Sequence, residues 1–122
     1  MFIVNRIDDN RLDIEMDGKL NAQDMLIALD QFVSGSEGVT EGRMLCDIID
    51  YQLPTLDAIL LELKRMPELF TIIKQYKKAA VLSDQAWVKV MSELEGKLIP
   101  NLEIKAFSRL EREEAEKWLA LD

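Results

Sequence analysis

Lys78-Ala-Ala-Val-Leu-Ser-Asp84, running into Gln85-Ala-Trp87, is the stretch that decides the fold. A short apolar run that ends in Ser-Asp and is followed by apolar residues at helical spacing predicts a strand, a helix start and a helix. The strand is expected over Ala79–Leu82. Trp87, Val90, Met91 and Leu94 make the inward face of the helix, with Gly96 as its C-cap and Pro100 in the loop beyond. The same grammar recurs downstream, where Leu102, Ile104 and Ala106 alternate with Glu103 and Lys105, a strand polar on one face that belongs toward the sheet margin. Ser108 with Glu111 fits a capping box for a last helix whose inward residues are Leu110, Ala115, Trp118 and Leu119.

Upstream, Met44 to Ile49 is apolar except at Asp47, the pattern of a central strand buried on both faces. Beyond Asp50-Tyr-Gln-Leu-Pro-Thr55, the residues Leu56, Ile59, Leu60 and Leu63 mark one helical face, which Pro67 breaks or restarts and Leu69, Phe70, Ile73 and Tyr76 continue. Phe2 to Ile7 and the alternation of Leu12, Ile14 and Met16 with Asp13, Glu15 and Asp17 predict a hairpin about Asp8-Asp-Asn10, ending at Gly18. The polar face of its second strand is expected to be wet or covered by a partner. Asn21 caps a helix from Ala22 with Met25, Leu26, Leu29, Phe32 and Val33 on one side. Residues 35–42 carry three of the five glycines and read as the most mobile connection. The order is ββαβαβαβα, one α/β domain over residues 1–122 with a mostly parallel sheet, an N-terminal antiparallel strand and four principal helices.

Composition narrows function by exclusion. A formal charge of −8, from 23 acidic and 15 basic residues, argues against nucleic acid and anionic membranes as partners. No apolar run is long enough to span a bilayer and no secretory leader is visible, so stable membrane insertion is not expected. The single cysteine cannot form an intrachain disulfide, which points to a reducing, cytoplasmic location. The chain has no histidine, the commonest general base and transition-metal ligand, so neither a metal nor a cofactor is expected.

The candidate contacts gather where open α/β sheets bind ligands, at the carboxyl ends of the strands. They are Asp50, Tyr51 and Thr55 after the third strand and Ser83 and Asp84 after the fourth, brought to one edge if those strands are adjacent. Each has a plainer role: Asp50 and Thr55 as helix caps, Ser83 and Asp84 as N-caps whose helix amides could also receive an anion. Asp47 and Asp50 are three residues apart on a strand and point to opposite faces, poor geometry for a shared metal. Cys46 reads as a small core residue with an inert thiol, Trp87 and Trp118 as core anchors, and Lys74, Lys77 and Lys78 as a solvated basic cluster. The stretch from Leu53 to Tyr76 is more apolar than one packing face needs, which suits either a helix pair buried against a neighbour or a lid over an apolar pocket.

With its elements in this order, the chain resembles the SpoIIAA-like family of the STAS-type fold. The resemblance is carried by Leu20-Asn-Ala-Gln-Asp-Met25, Leu45-Cys-Asp-Ile-Ile-Asp50, Lys78-Ala-Ala-Val-Leu-Ser-Asp84 with Trp87, and Phe107 with Glu114-Ala-Glu-Lys-Trp-Leu119. It implies a small binding or regulatory domain without enzymatic activity, with some members similar to CRAL-TRIO lipid-binding domains. Family members that act as anti-sigma factor antagonists carry a phosphorylatable serine in an Asp-Ser-Ser-Gly-like turn. Here the turn reads Asp50-Tyr-Gln-Leu-Pro-Thr-Leu-Asp57, and Thr55 is the only hydroxyl near the matching position. The expected function is a protein-interaction module whose partner is another protein, or a second copy in a weak homodimer. A carrier or sensor of a small, lipid-like apolar ligand is the alternative, and an enzyme using Asp47 or Asp50 is a third reading.

Overall fold

The computed structural model describes residues 2–52, 55–86, 88 and 101–121. Strands β1 (Phe2–Asp8) and β2 (Arg11–Gly18) form the expected hairpin, followed by helix α1 (Ala22–Gly35), strand β3 (Gly42–Tyr51), helices α2 (Leu56–Lys64) and α3 (Met66–Ile73), and strand β4 (Tyr76–Leu82). Strand β5 (Glu103–Phe107), a 3₁₀ turn (Arg109–Glu111) and helix α4 (Arg112–Ala120) complete the described chain. The helix expected over Trp87, Val90, Met91 and Leu94, with Gly96 and Pro100, lies outside the described residues apart from Val88, which is buried.

The sheet runs β1-β2-β3-β4-β5, antiparallel between β1 and β2 and parallel thereafter, so β3 is central and β5 lies at an edge, as expected. Because β2, β3 and β4 step in one direction through right-handed crossovers, α1 and the α2–α3 pair cover the same face. Ile14 and Met16 of β2, Met44, Cys46 and Ile48 of β3, and Ala79 and Val81 of β4 point to that face. Helix α4 packs on the other, where Leu45, Ala80, Leu82 and Phe107 enclose Ala115 and Leu119, with Trp118 half-buried beside them.

The local signals hold. Asn21 Oδ1 accepts from the Asp24 N–H at 2.8 Å at the start of α1, and Glu111 accepts from the Ser108 N–H at 2.8 Å before α4. Pro67 restarts the helix, because a residue without an N–H is tolerated in the first turn of α3 while Arg65 closes α2.

Several expectations are corrected. The strand expected from Ala79 begins at Tyr76, so Lys77 and Lys78 belong to the sheet. Lys78 is only 4% exposed: its Nζ donates to the carbonyls of Trp118 and Leu121 at 3.0 and 2.6 Å and sits over the Trp118 ring. It is therefore no part of a solvated basic cluster. On α2 the inward residues are Ala58, Leu61 and Glu62, whereas Leu56, Leu60 and Leu63 face outward. Leu26, Phe70 and Leu110 are likewise exposed rather than inward. Residues 35–42 are tied down: Ser36 is buried with its hydroxyl 2.7 Å from that of Tyr76, Val39 is in the core, and Arg6 donates to the carbonyls of Gly35 and Glu37, both at 2.8 Å. Gly42 has no room for a side chain, since a Cβ there would run into Val39 and come within 2.9 Å of the Tyr76 ring.

Candidate functional site

Parallel pairing of β3 with β4 puts their carboxyl ends together, with β4 ending first. Asp47 is opposite Leu82, so Ser83 and Asp84 emerge beside Asp47, while Asp50 lies three residues further along β3, about 10 Å away at ~3.3 Å per residue. Asp50 is exposed and still within β3, and Tyr51 ends that strand opposite Gly18. Asp50 therefore does not cap the next helix. That role falls to Thr55, whose Oγ1 accepts the Ala58 N–H at 3.3 Å while its own N–H donates to the Leu20 carbonyl at 3.1 Å. Ser83 is fully buried and its Oγ accepts the Gln85 N–H at 3.0 Å, closing the turn after β4. Asp84 Oδ1 accepts the Arg109 N–H at 3.0 Å, joining the ends of β4 and β5.

The ionic centre of this edge is a residue the sequence did not single out. Arg109 Nε donates to Asp47 Oδ1 at 2.8 Å, and Arg112 Nη1 stands 3.7 Å from Asp47 Oδ2. The hydrogen bond that Arg109 donates to Asp47 raises the Arg109 pKa above its already high ordinary value. The ion pairs continue along β2: Arg112 reaches Asp13 at 4.0 Å, Arg11 binds Asp13 at 2.6 Å, and Arg11 also binds Glu116 of α4 at 2.7 Å. The polar face of β2 is thus covered by this chain's own arginines and by α4. Asp47 was visible as the one charge in an apolar strand, but Arg109 looked like any solvated residue of a helix start. With both carboxylate oxygens facing guanidinium groups, Asp47 is poorly suited to be a general base. Among the described residues no group of three or more acidic, cysteine or histidine side chains could hold a metal ion.

A second feature lies between the sheet and α1–α3. A cavity of about 340 Å³ is walled by Ile14, Met25, Phe32, Met44, Leu69 and Ile73, among others. Its volume is at the lower end of the range for small-molecule sites. Met44, Cys46 and Ile48 face this space, which is why the central strand is less completely buried than its sequence suggests. Burial pushes the Cys46 thiol up to about 12, so it stays protonated, in keeping with the inert thiol expected. Tyr76, another lining residue, stacks on Phe32 with ring centroids 6.2 Å apart.

The third feature is on the surface. Leu56, Leu60 and Leu63 of α2 recur at i, i+4 and i+7 and form one stripe, 70%, 51% and 57% exposed. Among the described residues no helix is long and apolar enough to cross a membrane.

Comparison with known proteins places these features in a known architecture. Residues 11–120 match the family described as SpoIIAA-like. An uncharacterized protein of the DUF3478 family with a SpoIIAA-like fold, from Shewanella loihica PV-4, is similar in structure with a TM-score of 0.75 and 21% identity, over 98% of this chain and 93% of that one. The anti-sigma factor antagonist SpoIIAA in its unphosphorylated form is similar with a TM-score of 0.59 and 12% identity, over 99% of this chain and 100% of that one. No curated protein matches the chain in sequence.

Proposed function

The chain belongs to the SpoIIAA-like family, and from that premise we propose that it is a non-enzymatic, cytoplasmic interaction module that docks another protein through the outer face of α2. The observation that carries this reading is the leucine stripe. Three leucines aligned on one helical face and more than half exposed leave a contiguous apolar strip in water, a feature that marks contact surfaces. Thr55 caps the same helix at the carboxyl edge of the sheet, so Asp50, Tyr51 and Thr55 flank one end of the strip. Ser83 and Asp84 hold the turn beside Asp47 and are scaffold rather than contact. Thr55 has an ordinary structural duty, and the module is not proposed to be a phosphorylation switch.

The test is a Leu60→Asp/Leu63→Asp variant beside wild type, each used to capture partners from producing cells and each examined by sedimentation. The expected result is loss of a specific stoichiometric partner, or of a weak homodimer, with thermal stability retained. A folded variant that keeps every wild-type association refutes docking through this face.

A second reading, a carrier or sensor of a small apolar molecule, is supported by the 340 Å³ cavity. Native mass spectrometry of freshly purified protein tests it: a retained small-molecule adduct is expected if the cavity is used, and protein free of adducts that also fails to take up apolar probes counts against it.

A further inference from the structure

Helix α2 carries its exposed leucines beside two charges that the described chain leaves unused. Asp57, in the first turn, and Lys64, in the last, are both exposed, and among the described residues neither has an ion-pair partner. At about 100° per residue the two lie on the same flank of the stripe, roughly 60° and 40° round the helix from Leu60. Along the axis, at about 1.5 Å per residue, Leu56 and Asp57 stand about 6 and 4.5 Å to one side of Leu60, and Leu63 and Lys64 about 4.5 and 6 Å to the other. The face is therefore its own complement. A two-fold axis at Leu60 sets two copies of α2 antiparallel and keeps the charged flank of each on the same side of the contact. Leu56 of one copy then meets Leu63 of the other, and Asp57 of one meets Lys64 of the other, twice over. A parallel arrangement would instead set Asp57 against Asp57 and Lys64 against Lys64. The formal charge of −8 on each copy opposes association, but at physiological ionic strength it is screened beyond about 8 Å, whereas the two cross-pairs act at contact.

We propose that the leucine face of α2 docks a second copy of this chain, the two helices antiparallel about Leu60 and joined by reciprocal Asp57–Lys64 pairs. This rests on the reading of α2 as a docking face given above and names its occupant. Three leucines from each copy make a contact smaller than the roughly 1,200 Å² at which stable interfaces begin, so the dimer is weak and exchanges with monomer.

The experiment is sedimentation equilibrium of the full chain over a wide concentration range at physiological salt, with thermal unfolding to confirm that each variant is folded. It compares wild type, Asp57→Lys, Lys64→Asp, an equimolar mixture of those two variants, and Leu60→Asp/Leu63→Asp. Wild type is expected to dimerise and Leu60→Asp/Leu63→Asp to stay monomeric. Each charge reversal alone should weaken the dimer by roughly fivefold or more, because both cross-pairs become like-charged. The mixture should return to the wild-type level, because a mixed pair again sets opposite charges at both contacts. Asp57→Lys also lowers the net negative charge, so general repulsion between acidic copies would tighten its dimer, the opposite of the expected result. Asp57→Asn and Lys64→Gln, which remove charge without reversing it, should weaken the dimer less and serve in place of any reversal that fails to fold. A wild type that is monomeric at every concentration, a dimer that survives Leu60→Asp/Leu63→Asp, or a dimer indifferent to both reversals overturns the self-docking. The reading of α2 as a docking face for a different protein stands or falls separately, on partner capture by Leu60→Asp/Leu63→Asp.

Discussion

Replacing Lys78 with methionine is expected to destabilise the protein by about 2–3 kcal/mol, because a buried ammonium holds the end of α4 to the sheet. Lys78 Nζ donates to Trp118 O at 3.0 Å and Leu121 O at 2.6 Å, and stands 5.0 Å from the centroid of the Trp118 ring. Hydrogen bonds to charged groups are worth about 1.5–3 kcal/mol each by mutation, and a cation at a helix C-terminus or over an aromatic ring adds roughly 0.5–1 kcal/mol apiece. Two terms oppose the loss. Methionine keeps the apolar stem and removes the cost of desolvating an ammonium, and Arg43 still donates to the carbonyls of Leu119 and Leu121. The net is therefore well below the gross sum. In a chain of 122 residues it corresponds to a fall in Tm of about 8–12 °C, taking ~4 °C per kcal/mol. Urea unfolding followed by tryptophan fluorescence measures the effect, with Lys77→Met, one residue away and only half-buried, expected within about 0.5 kcal/mol of wild type. The double variant with Arg43→Met should lose more than the sum of the single changes, because each cation alone still serves Leu121 O. A Lys78→Met protein as stable as wild type would show that water satisfies the two carbonyls and that the ammonium does not hold α4.

Three further outcomes are expected. Thr55→Ala should cost about 0.5–2 kcal/mol in urea unfolding and Thr55→Asp should be near neutral, because either Thr or Asp accepts the Ala58 N–H; partner capture by the Asp variant should match wild type. Gly42→Ala should destabilise by roughly 1–3 kcal/mol, read from the urea midpoint, since its Cβ would press into Val39 and the Tyr76 ring. Cys46, moved from 9.0 to about 12 by burial, should resist a thiol reagent at pH 8 in the folded protein and react in urea. Its linkage has a definite sign. The folded state keeps the proton that the unfolded state releases, so this contribution is full below pH 9.0 and is lost between 9.0 and about 12. Wild-type stability should then fall more steeply than that of Cys46→Ala as the pH rises through that window.

The order of strands and helices was legible in the sequence because it rests on short-range chemistry. The capping residues Asn21 and Thr55, the Ser108–Glu111 pair, the restart at Pro67 and the alternation of β2 and β5 act within a few residues, and each appears where its pattern puts it. The central place of β3 followed from its apolar run. What the sequence could not decide is which side of an all-apolar helix turns inward. On α2, leucines lie on most sides, and the choice falls to the small Ala58, fully buried, which brings the Leu61 and Glu62 side down and leaves Leu56, Leu60 and Leu63 in water. The pairings of Asp47 with Arg109 and of Lys78 with the end of α4 are also tertiary facts, joining residues 62 and 40 or more positions apart. The point at which β4 leaves the ladder, opposite Asp47, while β3 runs on to Tyr51, is set by strand pairing, and the space left between the sheet and three helices makes the cavity. Such contacts depend on strand register and helix rotation, which no local pattern encodes, so the fold was readable from the chain and the candidate site only from its packing.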